Sequence, residues 1–70
     1  MRVKYDPDVD ALYITLKGHG VEHTMRIGPD IALDYGPDGE IHGIEILSAK
    51  EHLGKALRKI TVENLKVAAS

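Results

Sequence analysis

Apolar and β-branched residues between Ile31 and Leu47 fall into two short runs, Ile31-Ala32-Leu33-Asp34-Tyr35 and Ile41 to Leu47, separated by Gly36-Pro37-Asp38-Gly39. The runs have the composition of strands and the segment between them that of a tight turn. Pro37 presets φ, Asp38 tolerates the bridge region, and Gly39 can take the left-handed conformation that passes a type I turn into a strand through a G1 bulge. A hairpin closed in this way pairs Gly36 with Glu40, Tyr35 with Ile41, Asp34 with His42, Leu33 with Gly43 and Ala32 with Ile44. That register puts Ile31, Leu33, Tyr35, Ile41, Glu45 and Leu47 on one face and Ala32, Asp34, His42, Ile44 and Ile46 on the other. Both faces are then partly apolar, and each calls for a cover.

Around this hairpin the remaining pattern is also mostly strand-like. Arg2 to Tyr5 reads as a short strand stopped by Asp6-Pro7-Asp8, because Pro7 has no amide to donate. Ala11 to Leu16 is apolar with little alternation, which suits a central strand covered on both sides. Val21, His23, Met25 and Ile27 alternate with Glu22, Thr24 and Arg26, as expected of a half-exposed strand near an edge. After Leu47 the period changes. Ser48 and Glu51 have the spacing of a capping box, and Ala49, Leu53, Ala56, Leu57 and Ile60 form one apolar stripe at helical spacing, interrupted by Gly54 at a cost of about 1 kcal/mol relative to alanine. Between Ile60 and Ser70 a strand over Thr61 to Val67 is favoured, with helical continuation as the alternative. The pattern predicts one α+β domain over residues 1–70: an antiparallel five-stranded β-meander, one C-terminal helix packed on one face, and a sixth strand at the C-terminus if the tail is extended.

Composition narrows the picture. Seventy residues lie near the size where a single core is marginal, since only roughly 60% of the unfolded chain's surface is buried on folding. There is no cysteine to supply a disulfide, and three tyrosines are the whole aromatic inventory, so the core must be aliphatic. Nine basic and eleven acidic side chains give a formal charge of −2. The basic residues are scattered, which is no nucleic-acid footprint, and the chain has neither a signal-like apolar start nor a run long enough to span a bilayer. The expected location is cytoplasmic.

Tyr5-Asp6, Asp10-Ala11-Leu12-Tyr13-Ile14, Asp34, Asp38-Gly39 and Gly43-Ile44-Glu45-Ile46-Leu47 followed by Ala49 together resemble the short prokaryotic proteins of domain-of-unknown-function family 2283. The likeness covers roughly residues 1–50. It implies one complete small domain and brings no activity, cofactor or catalytic residue with it. Some tiny prokaryotic proteins act as the antitoxin-like partner of a neighbouring gene product, which here is analogy alone.

Candidate chemistry is sparse. Asp6, Asp8 and Asp10 alternate as in a calcium loop, but Ala11 stands where that loop needs glycine and Lys17 where it needs a bidentate glutamate, so turn-forming aspartates are the better reading. His19, His23, His42 and His52 are the only candidates for transition-metal ligands; His19 and His23 would stand about 13 Å apart on an extended strand, too far for joint ligation. No Ser-His-Asp set or phosphate-binding glycine loop is spaced for its task, and no cofactor or metal is called for. Asp34, His42 and Glu45 form the one polar cluster worth following. Tyr13, Leu33 and Tyr35 are expected to anchor an interface, because one helix can cover only one sheet face. These features favour a non-enzymatic interaction module, working as a homodimer or with another protein. The alternative is a small ligand-binding protein or enzyme with its acidic and histidine site at a subunit interface.

Overall fold

In the computed structural model, residues 1–63 are described. Five strands, β1 (Arg2–Asp6), β2 (Ala11–Thr15), β3 (His23–Ile27), β4 (Ile31–Tyr35) and β5 (Ile41–Ile46), precede a short helix, α1 (Ala49–Leu53), which continues as a 3-10 turn from Gly54 to Arg58. All strand pairings are antiparallel, in the order β1-β2-β5-β4-β3. The α+β class, the five strands and the C-terminal helix are those expected. Consecutive pairing holds within β1-β2 and within β3-β4-β5, whereas β2 lies beside β5 and β3 forms the far edge. The loop from Leu16 to Glu22 therefore crosses the ends of β5 and β4, with the amides of Leu16 and Lys17 donating to the His42 carbonyl and that of Glu22 to the Tyr35 carbonyl.

The β4-β5 turn closes as its residues dictate. The Gly39 amide donates to the Gly36 carbonyl, the Gly36 amide to the Glu40 carbonyl, and Gly39 takes φ 78°. Tyr35 pairs with Ile41 as expected, but the next pair is Asp34 with Gly43, followed by Leu33 with Ile44 and Ala32 with Glu45. His42 is the extra residue of a β-bulge. The expected Asp34–His42 pair is thus absent, and the sorting of faces changes with it. Leu33 and Ile31 now share a face with Ile44 and Ile46, and through the neighbouring pairs with Leu12, Ile14, Val3, Met25 and Ile27. Ala32, Asp34, Gly43, Glu45, Tyr13, Lys4 and Arg26 lie on the other face. One face is apolar and one polar, contrary to the two mixed faces expected.

The helical segment starts through a contact the local sequence did not announce. Ser48 adopts φ 51° and makes no side-chain cap bond, so the expected capping box does not form. Asp10 supplies the cap instead, from the β1-β2 turn: its carbonyl accepts the Ala49 amide at 3.0 Å and its carboxylate the Lys50 amide at 3.1 Å. The same carboxylate accepts the Tyr5 hydroxyl at 2.7 Å. On the opposite side His52 bonds Asp30 at 2.8 Å, tying the helix to the β3-β4 turn. Gly54, at φ 54° and ψ −126°, ends the α geometry after five residues. Thr61 to Glu63 are neither strand nor helix, and the rest of the proposed sixth strand, from Asn64, lies outside the described residues.

Only Leu12, Ala32 and Ala49 are buried apolar side chains among the described residues, and no large side chain is fully enclosed. Leu53, Ala56 and Leu57 lie over the Val3, Leu12 and Ile14 end of the apolar face, across a cleft of about 600 Å³. At the other end Met25 and Ile27 remain 50% and 53% exposed. Because the Asp10 carboxylate accepts both the Lys50 amide and the Tyr5 hydroxyl whereas Ser48 makes no side-chain cap bond, Asp10→Ala is expected to cost about 2 kcal/mol through the lost bonds, while Ser48→Ala costs well under 1 kcal/mol. Urea denaturation of the two variants checks this, and the reverse ranking would contradict it.

Candidate functional site

On the polar face one crossing joins side chains of three strands over a glycine of a fourth. The Tyr13 ring of β2 passes over Gly43 of β5 and donates its hydroxyl to Asp34 Oδ2 on β4 at 2.5 Å, and Thr24 of β3 donates to Asp34 Oδ1 at 2.6 Å. Any Cβ at Gly43 would overlap the Tyr13 phenol, so glycine in the middle of this strand marks the close approach of a side chain. The hydrogen bond to Asp34, then burial, then the charges of Asp34 and Glu45 push the Tyr13 hydroxyl up to about 12. Tyr5 is pushed up to about 12 by its hydrogen bond to Asp10, by burial and by the charges of Asp10 and Asp6.

Glu45 pairs with Tyr13 and with Ala32 and borders a groove of about 470 Å³ whose other walls include Arg2, Lys4, Asp6 and Thr15. Its carboxylate makes no ion pair among the described residues. Asp34 and Glu45 therefore flank Tyr13 on one face. His42 goes elsewhere. Its ring, 7% exposed, is enclosed between the backbones of Gly18 on the crossing loop and Gly36 at the turn, where a side chain on either glycine would collide with it. Nε2 is 2.8 Å from Asp38 Oδ1, and Nδ1 has no partner among the described residues. With its proton on Nε2, the ring donates to Asp38 and leaves only a lone pair unsatisfied. That hydrogen bond, with the amide of Glu40, draws Asp38 down to about 2. Lys17 bonds Glu40 and lies 3.9 Å from Asp38, so the loop and the turn are also clipped together on their exposed side.

The expected interface residues divide in the same way. Leu33 and Tyr35 stand on the apolar face, Leu33 opposite Met25 and Ile44, and Tyr35 stacked on His23 with ring centroids 4.8 Å apart. Tyr13 is on the polar face and is held by Asp34. Asp6 accepts the Asp8 amide in a local turn, and Asp10 is occupied by Tyr5 and α1. No group of three potential metal ligands converges among the described residues. Sequence reasoning missed the Tyr13–Gly43–Asp34 crossing; the glycine inside a strand was its available signal.

Two outcomes follow. Gly43→Ala is expected to destabilise the fold by about 2 kcal/mol in the wild-type chain but much less in a Tyr13→Ala background, a coupling above about 1 kcal/mol in a double-mutant denaturation cycle. Additive losses would mean that the ring does not depend on the glycine. Because the folded state holds the Tyr13 proton more tightly than the unfolded state, the stability from this group is complete below pH 10 and is lost as pH rises towards about 12. Denaturation midpoints across that window should fall less steeply for Tyr13→Phe than for the wild type, and parallel curves would be inconsistent with the assignment.

Among the described residues no helix is long and apolar enough to cross a membrane. No curated protein and no solved structure matches the chain. A family model does match, over residues 2–50, and its span takes in Tyr5, Asp10, Tyr13, Asp34, Gly43 and Ala49, whose contacts hold the sheet and the helix start together. With more than half of its length matched, the chain belongs to the family described as protein of unknown function DUF2283.

Proposed function

We propose that the protein is a non-enzymatic interaction module of the cytoplasm that works by burying its apolar sheet face against another protein subunit. One observation carries this reading: among the described residues, the apolar sheet face is larger than the helical segment covers. Met25 and Ile27 are half exposed, Ile31, Leu33, Ile44 and Ile46 are only partly covered, and no large side chain among the described residues is fully enclosed. A soluble monomer seldom leaves so continuous an apolar strip open, and a domain this small gains most of its missing burial by association. An antitoxin-like pairing with a different protein would be the heterologous form of the same mechanism.

A ligand or catalytic site built on Asp34, His42 and Glu45 would need the three side chains on one cavity. Both oxygens of Asp34 are engaged, His42 is enclosed between two glycines, and Glu45 alone borders a groove. The arrangement therefore favours binding through the opposite face.

A dye that fluoresces on apolar protein surfaces tests the proposal. The purified chain is expected either to associate and stay dark, or to remain monomeric and bind the dye, with Ile27→Lys reducing the signal. A folded monomer that neither associates nor binds dye would refute the interaction reading.

A further inference from the structure

We infer that the groove on the polar face binds a small zwitterion of the amino-acid type, with its ammonium group against Glu45 and the Tyr13 ring and its carboxylate against Arg2 and Lys4. The inference goes beyond the interaction reading and does not depend on it, since a subunit covering the apolar face leaves this groove open.

The groove exists because of the Tyr13 crossing. Lys4, Tyr13 and Glu45 lie opposite one another on β1, β2 and β5, so the backbones of Lys4 and Glu45 stand about 10 Å apart, two strand spacings. A side chain standing straight up between them would fill that space. Tyr13 instead leans out of the row, over Gly43, to reach Asp34. The space it leaves is the groove of about 470 Å³, with the phenol as one wall and Arg2, Lys4, Thr15 and Glu45 around it. A small molecule fits a space of this size.

Charge assigns the class of the occupant. Glu45 is partly buried and has no donor at hand: the Tyr13 hydroxyl is committed to Asp34, Ala32 has none to give, and no cation pairs with the carboxylate among the described residues. A carboxylate beside an aromatic ring recognises an ammonium group, through a charge-assisted hydrogen bond and a cation–π contact. Arg2 and Lys4 share the polar side of β1 and pair with no carboxylate among the described residues, and Thr15, opposite Arg2, adds a hydroxyl. The groove therefore holds a negative and a positive wall apart. Its complement carries both charges in the reverse order. A simple anion would meet Glu45 and a simple cation would meet Arg2 and Lys4, so like-charge contact selects against each.

Amide chemical shifts of the isotopically labelled full chain test the site, with glycine as the probe and acetate and methylammonium as its two halves. Glycine is expected to move the Arg2, Lys4, Tyr13 and Glu45 resonances saturably, with a dissociation constant of about 1–10 mM, and each half to bind at least about tenfold more weakly. Glu45→Gln should weaken glycine by about tenfold or more, as should Arg2→Gln combined with Lys4→Gln, whereas Glu40→Gln, at the β4-β5 turn, should change it by less than about twofold. Shifts that do not saturate, a half-probe that binds as tightly as glycine, or glycine binding indifferent to Glu45→Gln overturns the site. Subunit association and dye binding are read on the opposite face, so the failure of either reading is distinguishable from the failure of the other.

Discussion

The bulge at His42 is the constraint on which the rest of the structure depends. Without it the register set by the Gly36 to Gly39 turn would continue, and Ile44 and Ile46 would join Ala32 and Asp34 on a face of mixed character. One extra residue moves them to the side of Leu33, Ile31, Leu12 and Ile14, and leaves Asp34 within reach of Tyr13. The bulge is held from three directions: by Gly18 of the crossing loop above the ring, by Gly36 beside it, and by Asp38 at Nε2. It is also where β5 accepts the crossing loop, through the His42 carbonyl. Face sorting and strand order are thus parts of one local arrangement.

Much of the fold was legible in the sequence because it follows from short-range rules. Turn chemistry at Gly36-Pro37-Asp38-Gly39, the apolar runs and the change of period after Leu47 locate five strands and a helix, and Gly54 marks where that helix breaks. What could not be read shares a physical character: each feature joins residues far apart in the chain. The placement of β2 beside β5 depends on a loop that crosses two strand ends. The helix cap comes from Asp10 rather than from Ser48, although Ser48 has the right spacing. The register slip arises because His42 has a slot between two glycines, a fact of tertiary packing that cross-strand counting cannot contain. For the candidate site, the same slip separates His42 from Asp34 and turns Tyr13 away from Leu33 and Tyr35.

The two faces follow different physical logic. The polar face is held by directed bonds, Tyr13 and Thr24 on Asp34, and tolerates little change in shape because the phenol lies against Gly43. The apolar face is held by contact area alone, and the described residues supply only part of that area with Leu53, Ala56 and Leu57.

The Asp10 cap also bears on the order of folding. A five-residue α-helix has no stability of its own. Its first two amides, of Ala49 and Lys50, are satisfied by Asp10 in the β1-β2 turn, so the helix can persist only once that turn and the end of β5 have met. Helix formation is then tied to closure of the sheet, because its cap exists only where the long-range pairing of β2 with β5 brings Asp10 beside Ala49 and Lys50, a contact that carries the loop-closure cost of distant segments.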